Sequence, residues 1–408
     1  MFPMSARPES LVWLSASVSQ VFSSFLGDAS ATLKSAARLA RLLEEQFIAD
    51  GWPSGRIYGS EIELAGRHRI GRGVVREAFR ILEARGTART RCGRNGGLEL
   101  IVPSLEQLYE RIADYCFLSG VSHAQILVLQ NVLRRVAARM EADHRTHNAV
   151  IAFYEDCAQW LSGADRTRVS KSEHRNCAEK IVDTLRHVVG PERWADGYFV
   201  GNQQELCHRY NVDHRALRQA IRILESAEAA ESLPGRGNGL MTRSPGPVAI
   251  GRLICCYFAA SGIDHAQAFE AFHWLSSETM ALAALHADAH SIAPISGMLA
   301  QMEGRADSAL LPALAAIEYR QFALAGNRLL DLFLLSARAF PSWSPFRKIA
   351  TVPGGLSDLR ECAAQVNAAI VAGDAPAAAL AQDRKSIAIR RNLERSIANI
   401  RLAPAKSA

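Results

Sequence analysis

Three arginines at intervals of four residues are the side chains whose type and spacing best suit a chemical task. Arg72, Arg76 and Arg80 lie along one side of a predicted helix, because positions four apart fall nearly above one another on an α-helix. A helix fits the major groove of DNA. An arginine there can donate two hydrogen bonds to a guanine, with about 1–3 kcal/mol of discrimination per good pair. The spacing therefore predicts contacts to DNA bases.

Further basic and small residues flank the three arginines on both sides. Those suited to phosphate contacts are Arg67, Arg69, Arg89, Arg91 and Arg94. Asn95 and Gly96 belong to a glycine-rich tip, where the backbone can approach DNA closely. A solvated helix face usually mixes charges of both signs, whereas residues 66–94 contain nine arginines and two acids. This imbalance favours a DNA-binding surface over an ordinary solvated face.

The elements that must position these arginines follow the pattern of a winged helix. An amphipathic helix is predicted over 36–49, with one buried stripe. The residues of that stripe are Leu39, Leu42, Leu43 and Phe47. Ser60 and Glu63 form a capping-box pattern at the start of a second helix, and a third helix follows over 74–85. Residues 87–102 then read as a two-stranded hairpin with a glycine-rich tip.

The same pattern returns later in the chain. Arg76 aligns with Arg218, an offset of 142 (218 minus 76), and the segment RILE occurs at both 80–83 and 222–225. The ungapped match extends from Trp52 and Trp194 to SGVSHAQ at 119–125 and SGIDHAQ at 261–267. A match over about seventy residues predicts a duplicated structural unit.

The second copy carries a weaker version of the basic surface. Its candidate DNA-binding residues are Arg215, Arg218, Arg222, Arg236 and Asn238. Asp213 and His214 replace Gly71 and Arg72 of the first copy, and an acid at position 213 is expected to repel phosphate. Between residues 208 and 236 there are five arginines and four acids. Two interpretations stay open: the second copy binds DNA, or it serves as a packing or dimerisation module.

The predicted fold class is mainly α with small β-hairpin wings. It comprises two tandem winged helix-turn-helix domains, each followed by an all-helical segment. The predicted divisions are an N-terminal extension (1–30), a first winged-helix DNA-binding domain (31–103), a short helical domain (104–165), a second winged-helix domain (171–246) and an all-helical effector or oligomerisation-like domain (247–408).

The segment GWPSGRIYGSEIELAGRHRIGRGVVREAFRILEARG (51–86) and the tip GRNGG (93–97) resemble the DNA-binding domain of GntR-type transcription regulators. The resemblance implies that Arg72 opens the recognition helix, that Arg76 is the arginine of the V-R-E-A motif and that residues 94–97 form the wing. This sequence has Gly71 where the family has a serine or threonine, so one phosphate-contacting hydroxyl is absent.

The helical segment after the second copy resembles the effector domain of the FadR-like branch of that family. The similar segments are 316–333 and 366–380. The resemblance implies a small organic acid as effector, which many members bind through a metal held by aspartate and histidine. Glu318 and Leu314 stand at about two of the metal-binding positions, and no histidine occurs in 366–385. We therefore predict no metal site and no cofactor.

The composition of the chain restricts the classes of protein to which it can belong. The net charge of +6 and the pI near 9.0 suit a polyanionic partner. The eight cysteines lack paired spacing, as in reduced intracellular proteins. We find no membrane-spanning segment, nucleotide-binding loop or nucleophile motif, so we predict a cytoplasmic, nucleoid-associated protein that is not an enzyme.

Two functions follow from these patterns. The first is a transcription regulator whose partner is a double-stranded DNA operator, read by one chain as a covalent pseudo-dimer or by a conventional homodimer. The second is an interaction or scaffold protein, in which the second winged helix mediates dimerisation or partner contacts.

Overall fold

The computed structural model describes residues 35–93, 96–143, 148–163, 177–233, 239–302, 307–342 and 355–402. Within these ranges the chain is mainly helical with small antiparallel β-sheets, which confirms the predicted fold class. The predicted N-terminal extension lies outside the described residues. No helix of the described ranges is long and apolar enough to span a lipid bilayer.

The first winged unit, residues 35–100, is built as the apolar pattern predicts. Its elements are α1 (Ser35–Ala49), α2 (Glu61–His68), α3 (Arg72–Arg85), β1 (Ala88–Arg91) and β2 (Gly97–Leu100). Ser60 and Glu63 form the predicted capping box at the start of α2. Leu43 and Phe47 of α1 are fully buried, but Leu42 is 47% exposed, so its predicted place in the buried stripe is wrong. Ala36 and Ala40 are buried beside Leu39 and Leu43, on the other flank of the stripe.

Three helices follow the first winged unit. They are α4 (Leu105–Leu118), α5 (His123–Ala142) and α6 (Ala149–Gly163). Their apolar faces belong to one hydrophobic cluster with the first winged unit and with helices near the end of the chain. The segments 104–165 and 247–408 share this cluster. Their division into separate domains stays a prediction.

The second winged unit, residues 177–242, repeats the first with two additional short elements, a helix and a strand. Its elements are α7 (Cys177–Val189), α8 (Pro191–Asp196), β3 (Phe199–Gly201), α9 (Gln203–Tyr210), α10 (His214–Ser226), β4 (Ala230–Ser232) and β5 (Leu240–Thr242). Its sheet has three strands in the order β3-β5-β4, where a two-stranded hairpin is expected. The first unit has an isolated bridge at that position, between Ile57 and Glu99.

The rest of the chain is helical within the described ranges. Its elements are α11 (Pro247–Ala260), α12 (His265–His286), α13 (Ala289–Ala300), α14 (Asp307–Ala323), α15 (Arg328–Ser342), α16 (Gly355–Val371) and α17 (Ala375–Leu402). Five helices of the second half begin 142 residues after helices of the first half, which is the offset of the sequence repeat. The pairs are α1 and α7, α2 and α9, α3 and α10, α4 and α11, and α5 and α12.

Each winged unit packs against the helix that follows the other one. Arg252 of α11 donates to Glu45 Oε1 and to the carbonyl oxygen of Arg41, both on α1, at 3.0 Å each. Arg186 of α7 lies 2.6 Å from Asp114 of α4. The helices α3 and α10, α4 and α11, and α5 and α12 also pack in these equivalent pairs.

Two asparagines make equivalent contacts between the two halves of the chain. Asn148 caps α6 and donates to the carbonyl oxygen of Gln267 at 2.9 Å. Asn327 caps α15 and donates to that of Gln125 at 2.8 Å. Gln125 and Gln267 are equivalent residues of the sequence repeat, so α15 stands in the second half where α6 stands in the first.

The rings that follow the two asparagines meet each other. Tyr154 of α6 and Phe333 of α15 each lie six residues after their capping asparagine. They stack with centroids 4.1 Å apart and planes 10° from parallel. Their positions differ by 179 rather than by the 142 of the repeat, because α13 and α14 intervene in the second half.

Candidate nucleic-acid interface

Helix α3 exposes the predicted arginine stripe because its opposite face is buried. Val75, Ala78, Phe79 and Leu82 lie in the core of the first winged unit. The helix begins at Arg72 itself, two residues earlier than predicted. Arg72, Arg76 and Arg80 are all exposed, and they share the side turned away from the core.

Two of these arginines have acidic partners that the arginine spacing alone does not reveal. Arg76 donates two hydrogen bonds to Glu61 of α2, Nε to Oε1 at 3.1 Å and Nη2 to Oε2 at 2.9 Å. The hydrogen bonds from Arg76 lower the pKa of the Glu61 carboxyl. Arg80 lies 3.5 Å from Glu77 on the same helix. The i,i+3 spacing indicates the second pair, whereas the first joins residues of different helices.

The flanking arginines belong to the end of α2 and to strand β1. Arg67 is exposed in the last turn of α2, and Arg69 ends that helix with a left-handed backbone (φ 52°). Arg89 of β1 donates two hydrogen bonds to Glu99 of β2, at 3.0 and 2.9 Å. Arg89 is therefore charge-paired across the wing, while Arg91 is exposed.

The wing turn requires glycine because the backbone folds back on itself. A Cβ atom at Gly96 would lie 2.2 Å from the carbonyl oxygen of Arg91. One at Gly97 would lie 2.4 Å from that of Gly59. Neither position tolerates a side chain. The predicted contacts of Arg94 and Asn95 lie outside the described residues, as do those of Arg236 and Asn238 in the second copy.

Helix α10 presents the corresponding surface of the second winged unit. Arg215, Arg218 and Arg222 are exposed. Arg218 Nε donates to the carbonyl oxygen of His214 in its own helix at 3.2 Å. Gln203 stands where the first unit has Glu61, so the second unit lacks an equivalent of the carboxylate that orients Arg76.

The N-termini of α3 and α10 differ in chemistry. Asp213 caps α10, its Oδ1 accepting from the backbone N–H groups of Arg215 at 2.7 Å and of Ala216 at 2.8 Å. These backbone hydrogen bonds lower the pKa of the Asp213 carboxyl. Gly71 provides no side-chain cap for α3. The N-terminal N–H groups of a helix are a favourable site for phosphate, and in α10 a carboxylate occupies two of them.

Helices α3 and α10 contact each other. Arg222 Nε of α10 lies 2.8 Å from Glu77 Oε1 of α3. A second ion pair joins Arg41 of α1 to Glu228, two residues after α10, at 3.7 Å. The contact involves the middle of α3 and the second half of α10, and the first two residues of both helices are exposed.

The position that the family resemblance assigns to a metal ligand holds a buried ion cluster. Glu318 Oε1 accepts from Lys385 Nζ at 2.7 Å and from Gln382 Nε2 at 3.0 Å, while Oε2 accepts from Arg338. Burial alone would raise the pKa of Glu318, but Lys385 and Arg338 outweigh it and lower the pKa to about 2. These residues do not fit a divalent metal, because cationic side chains already neutralise the carboxylate. Leu314, at the second such position, is buried and apolar.

Chains of several solved structures are similar to this one. The solved structure of "Streptococcus agalactiae GntR" aligns over 99% of its own chain and 52% of this one, at 18% sequence identity and a TM-score of 0.42. No protein-family model matches the sequence, and no curated protein matches it. What the chain does must therefore be inferred from its own residues.

Proposed function

We propose that the protein is a sequence-specific, DNA-binding transcription regulator of GntR type, in which two unequal winged helices on one chain read one operator. The observation that carries this proposal is the exposed stripe of Arg72, Arg76 and Arg80 on a helix whose other face is buried. Such a helix can enter the major groove with arginines directed at guanine edges. Arg67, Arg69 and Arg91 beside it suit the phosphate backbone.

Reciprocal contacts within the chain support a built-in pseudo-dimer. In a two-fold interface, if one surface contacts another, their symmetry mates make the same contact in exchange. Helix α11 packs on α1, and α4 contacts α7. Asn148 donates to the carbonyl oxygen of Gln267, and Asn327 donates to that of the equivalent residue, Gln125. A regulator with this arrangement presents two reading helices without a second chain.

The proximity of α3 and α10 defines the kind of operator we expect. Helix-turn-helix dimers commonly place their recognition helices about 34 Å apart, one turn of DNA. Here the two helices are in direct contact through Glu77 and Arg222. We therefore expect two adjacent half-sites within a short operator. Because the helices differ in sequence, the half-sites differ too.

Selection of DNA from a random library by the full-length protein tests the proposal. Enrichment of two unlike, adjacent half-sites at fixed spacing supports one chain reading one asymmetric operator. A true palindrome with separated half-sites would favour a conventional homodimer through the first winged unit. Failure to enrich any sequence over a range of salt concentrations would contradict the proposed function.

A second candidate function is an interaction protein in which the second winged unit makes protein contacts. The observation that favours it is that Arg222 and Glu228 of this unit are engaged in ion pairs within the chain. DNA binding that responds little to salt would support this alternative, because phosphate contacts release counterions and give a steep salt dependence.

The buried cluster around Glu318 supports a small organic acid as effector. Lys385 and Arg338 both contact the Glu318 carboxylate, so two basic side chains meet in one buried cluster. Gln321, nearby in sequence, is fully buried, and its amide has no hydrogen-bond partner among the described residues. A buried polar group without a partner favours a bound polar ligand or water. Thermal shifts with a panel of small carboxylic acids, compared between the protein and a Lys385→Met variant, would test this.

A further inference from the structure

One acidic residue holds an arginine from each recognition helix. Glu77 of α3 lies 2.8 Å from Arg222 of α10 and 3.5 Å from Arg80 of its own helix. Its side chain is 24% exposed, and that of Arg222 is 44% exposed. The Glu77 carboxylate is thus the less exposed partner, and it contacts both arginines where the two helices pack against each other.

The duplication gives this contact a single acid where symmetry would give two. Arg222 corresponds to Arg80 in the sequence repeat, and Glu77 corresponds to Gln219. Gln219 carries no charge, so it cannot form an ion pair with Arg80. Of the two equivalent positions, 77 and 219, only position 77 therefore holds an acid.

A strained residue beside the helices supports the same role. Glu228 has a left-handed backbone (φ 57°) where the first unit has Gly86 (φ 71°). Residues other than glycine are disfavoured in this conformation. The Glu228 carboxylate lies 3.7 Å from Arg41 of the first winged unit. The second ion pair between the two winged units is thus formed by Glu228, whose backbone conformation favours glycine.

We propose, on the basis of the proposed function, that Glu77 is a positioning residue that fixes the separation of α3 and α10 and so selects the half-site spacing the protein accepts. Each added base pair moves one half-site by about 3.4 Å and turns it by about a tenth of a helical turn. Two helices held together by Glu77 accept one spacing, and helices released from each other accept several.

A spacing series of the selected operator tests this proposal. The two half-sites are kept, and the separation is changed by one, two and three base pairs in each direction. The readout is the ratio of affinities between the best and the altered spacings, so a uniform change in affinity does not affect it. For the unaltered protein we expect a loss of about tenfold or more per base pair, similar to a mismatched position. For Glu77→Gln we expect this ratio to fall several-fold.

Two further variants separate positioning from charge. Glu106→Gln removes the same charge from an exposed position on α4 and should leave the spacing ratio unchanged. Glu77→Arg should broaden the profile further, and combining it with Arg222→Glu should restore a sharp optimum by reversing the ion pair. Failure of the combined variant to restore it would overturn the role of the pair.

The outcomes distinguish this inference from the function on which it rests. An unaltered protein with a sharp optimum that Glu77→Gln leaves equally sharp overturns the positioning role alone. An unaltered protein that binds no DNA, or only one half-site, overturns the proposed function and the positioning role together.

Discussion

Arg76 and Arg218 occupy the same position in the two winged units, but their surroundings differ. The Glu61 carboxylate holds Arg76 through two hydrogen bonds, whereas Arg218 bonds to a carbonyl oxygen of its own helix. An arginine fixed by a planar partner loses less side-chain freedom when it binds a base. The first unit is therefore expected to be the stricter reader.

We expect Arg76→Ala to weaken binding to the selected operator by about 1–3 kcal/mol, the value of a bidentate base contact. Arg218→Ala should cost clearly less. Affinity measured at a fixed salt concentration checks both. Arg134→Ala, which removes an exposed arginine of α5, serves as the charge control. Equal losses from Arg76 and Arg218 would contradict the ranking of the two units.

The residue types of the interface can be predicted from the sequence, but their partners cannot. Arg72, Arg76 and Arg80 follow from a four-residue spacing that any α-helix places on one side. The pairing of Arg76 with Glu61 and of Arg222 with Glu77 depends on how helices pack, which spacing within one helix does not describe. The sequence likewise predicts that Asp213 repels phosphate, and the structure adds that this carboxylate caps its helix.

At the scale of elements, the N-terminus of α10 differs from that of α3 by one side chain. Asp213 satisfies two backbone N–H groups that a DNA phosphate could otherwise bind, and it adds a negative charge at the same place. In the second unit, the Asp213 carboxylate would therefore compete with a phosphate for these N–H groups. Gly71 of the first unit has no side chain that could do so.

Asp213→Gly should strengthen operator binding, because it removes the charge and frees both N–H groups. Asp213→Asn keeps the cap and removes only the charge, so its affinity should fall between those of the glycine variant and the unaltered protein. Glycine in place of a capping residue costs only about a few tenths of a kcal/mol of stability. Affinities of the three proteins at two salt concentrations check the order. Unchanged affinity in both variants would indicate that the second unit does not approach phosphate.

The ion cluster between α14, α15 and α17 predicts how stability depends on pH. The pKa of Glu318 is about 2 in the folded protein, below its ordinary value of 4.5. A carboxyl with a lowered folded pKa contributes stability above its unfolded pKa, and this contribution is lost as the pH falls towards the folded value. The shift corresponds to about 3 kcal/mol, lost between about pH 5 and pH 2.

Glu318→Gln leaves Lys385 buried without its carboxylate, so we expect a loss of about 3–5 kcal/mol in the free energy of unfolding at pH 7. The variant should also lose less stability than the unaltered protein between pH 5 and pH 3. Urea unfolding across this range measures both effects. Parallel pH curves for the two proteins would show that Glu318 is not the group responsible.

Elements with long periodic patterns can be predicted, and short or displaced ones cannot. Strand β3 contains three residues, too few for an alternating pattern to be recognised. The sequence does not reveal the equivalence of α6 and α15, because α13 and α14 intervene and shift these helices out of the register of the repeat. The three-dimensional contacts of Asn148 and Asn327, and the stacked rings of Tyr154 and Phe333, reveal it.

At the scale of the whole molecule, equivalent elements of the two halves contact each other. Helices α3 and α10, α4 and α11, and α5 and α12 pack in pairs, and the rings of Tyr154 and Phe333 stack. In a homodimer such self-paired contacts mark a two-fold axis between two chains. Here both partners are in the same polypeptide, and helices α13, α14, α16 and α17 of the second half have no counterpart among the described residues of the first.

This arrangement predicts that one chain saturates one operator. The surface that a homodimer would use to bring a second winged helix beside the first is already occupied by α10 and α7. Sedimentation velocity or native mass spectrometry of the protein with a labelled operator should therefore give a complex of one chain and one duplex at concentrations near the dissociation constant. A complex with two chains per operator, formed cooperatively and without a one-chain intermediate, would mean that the internal pairing does not replace a dimer.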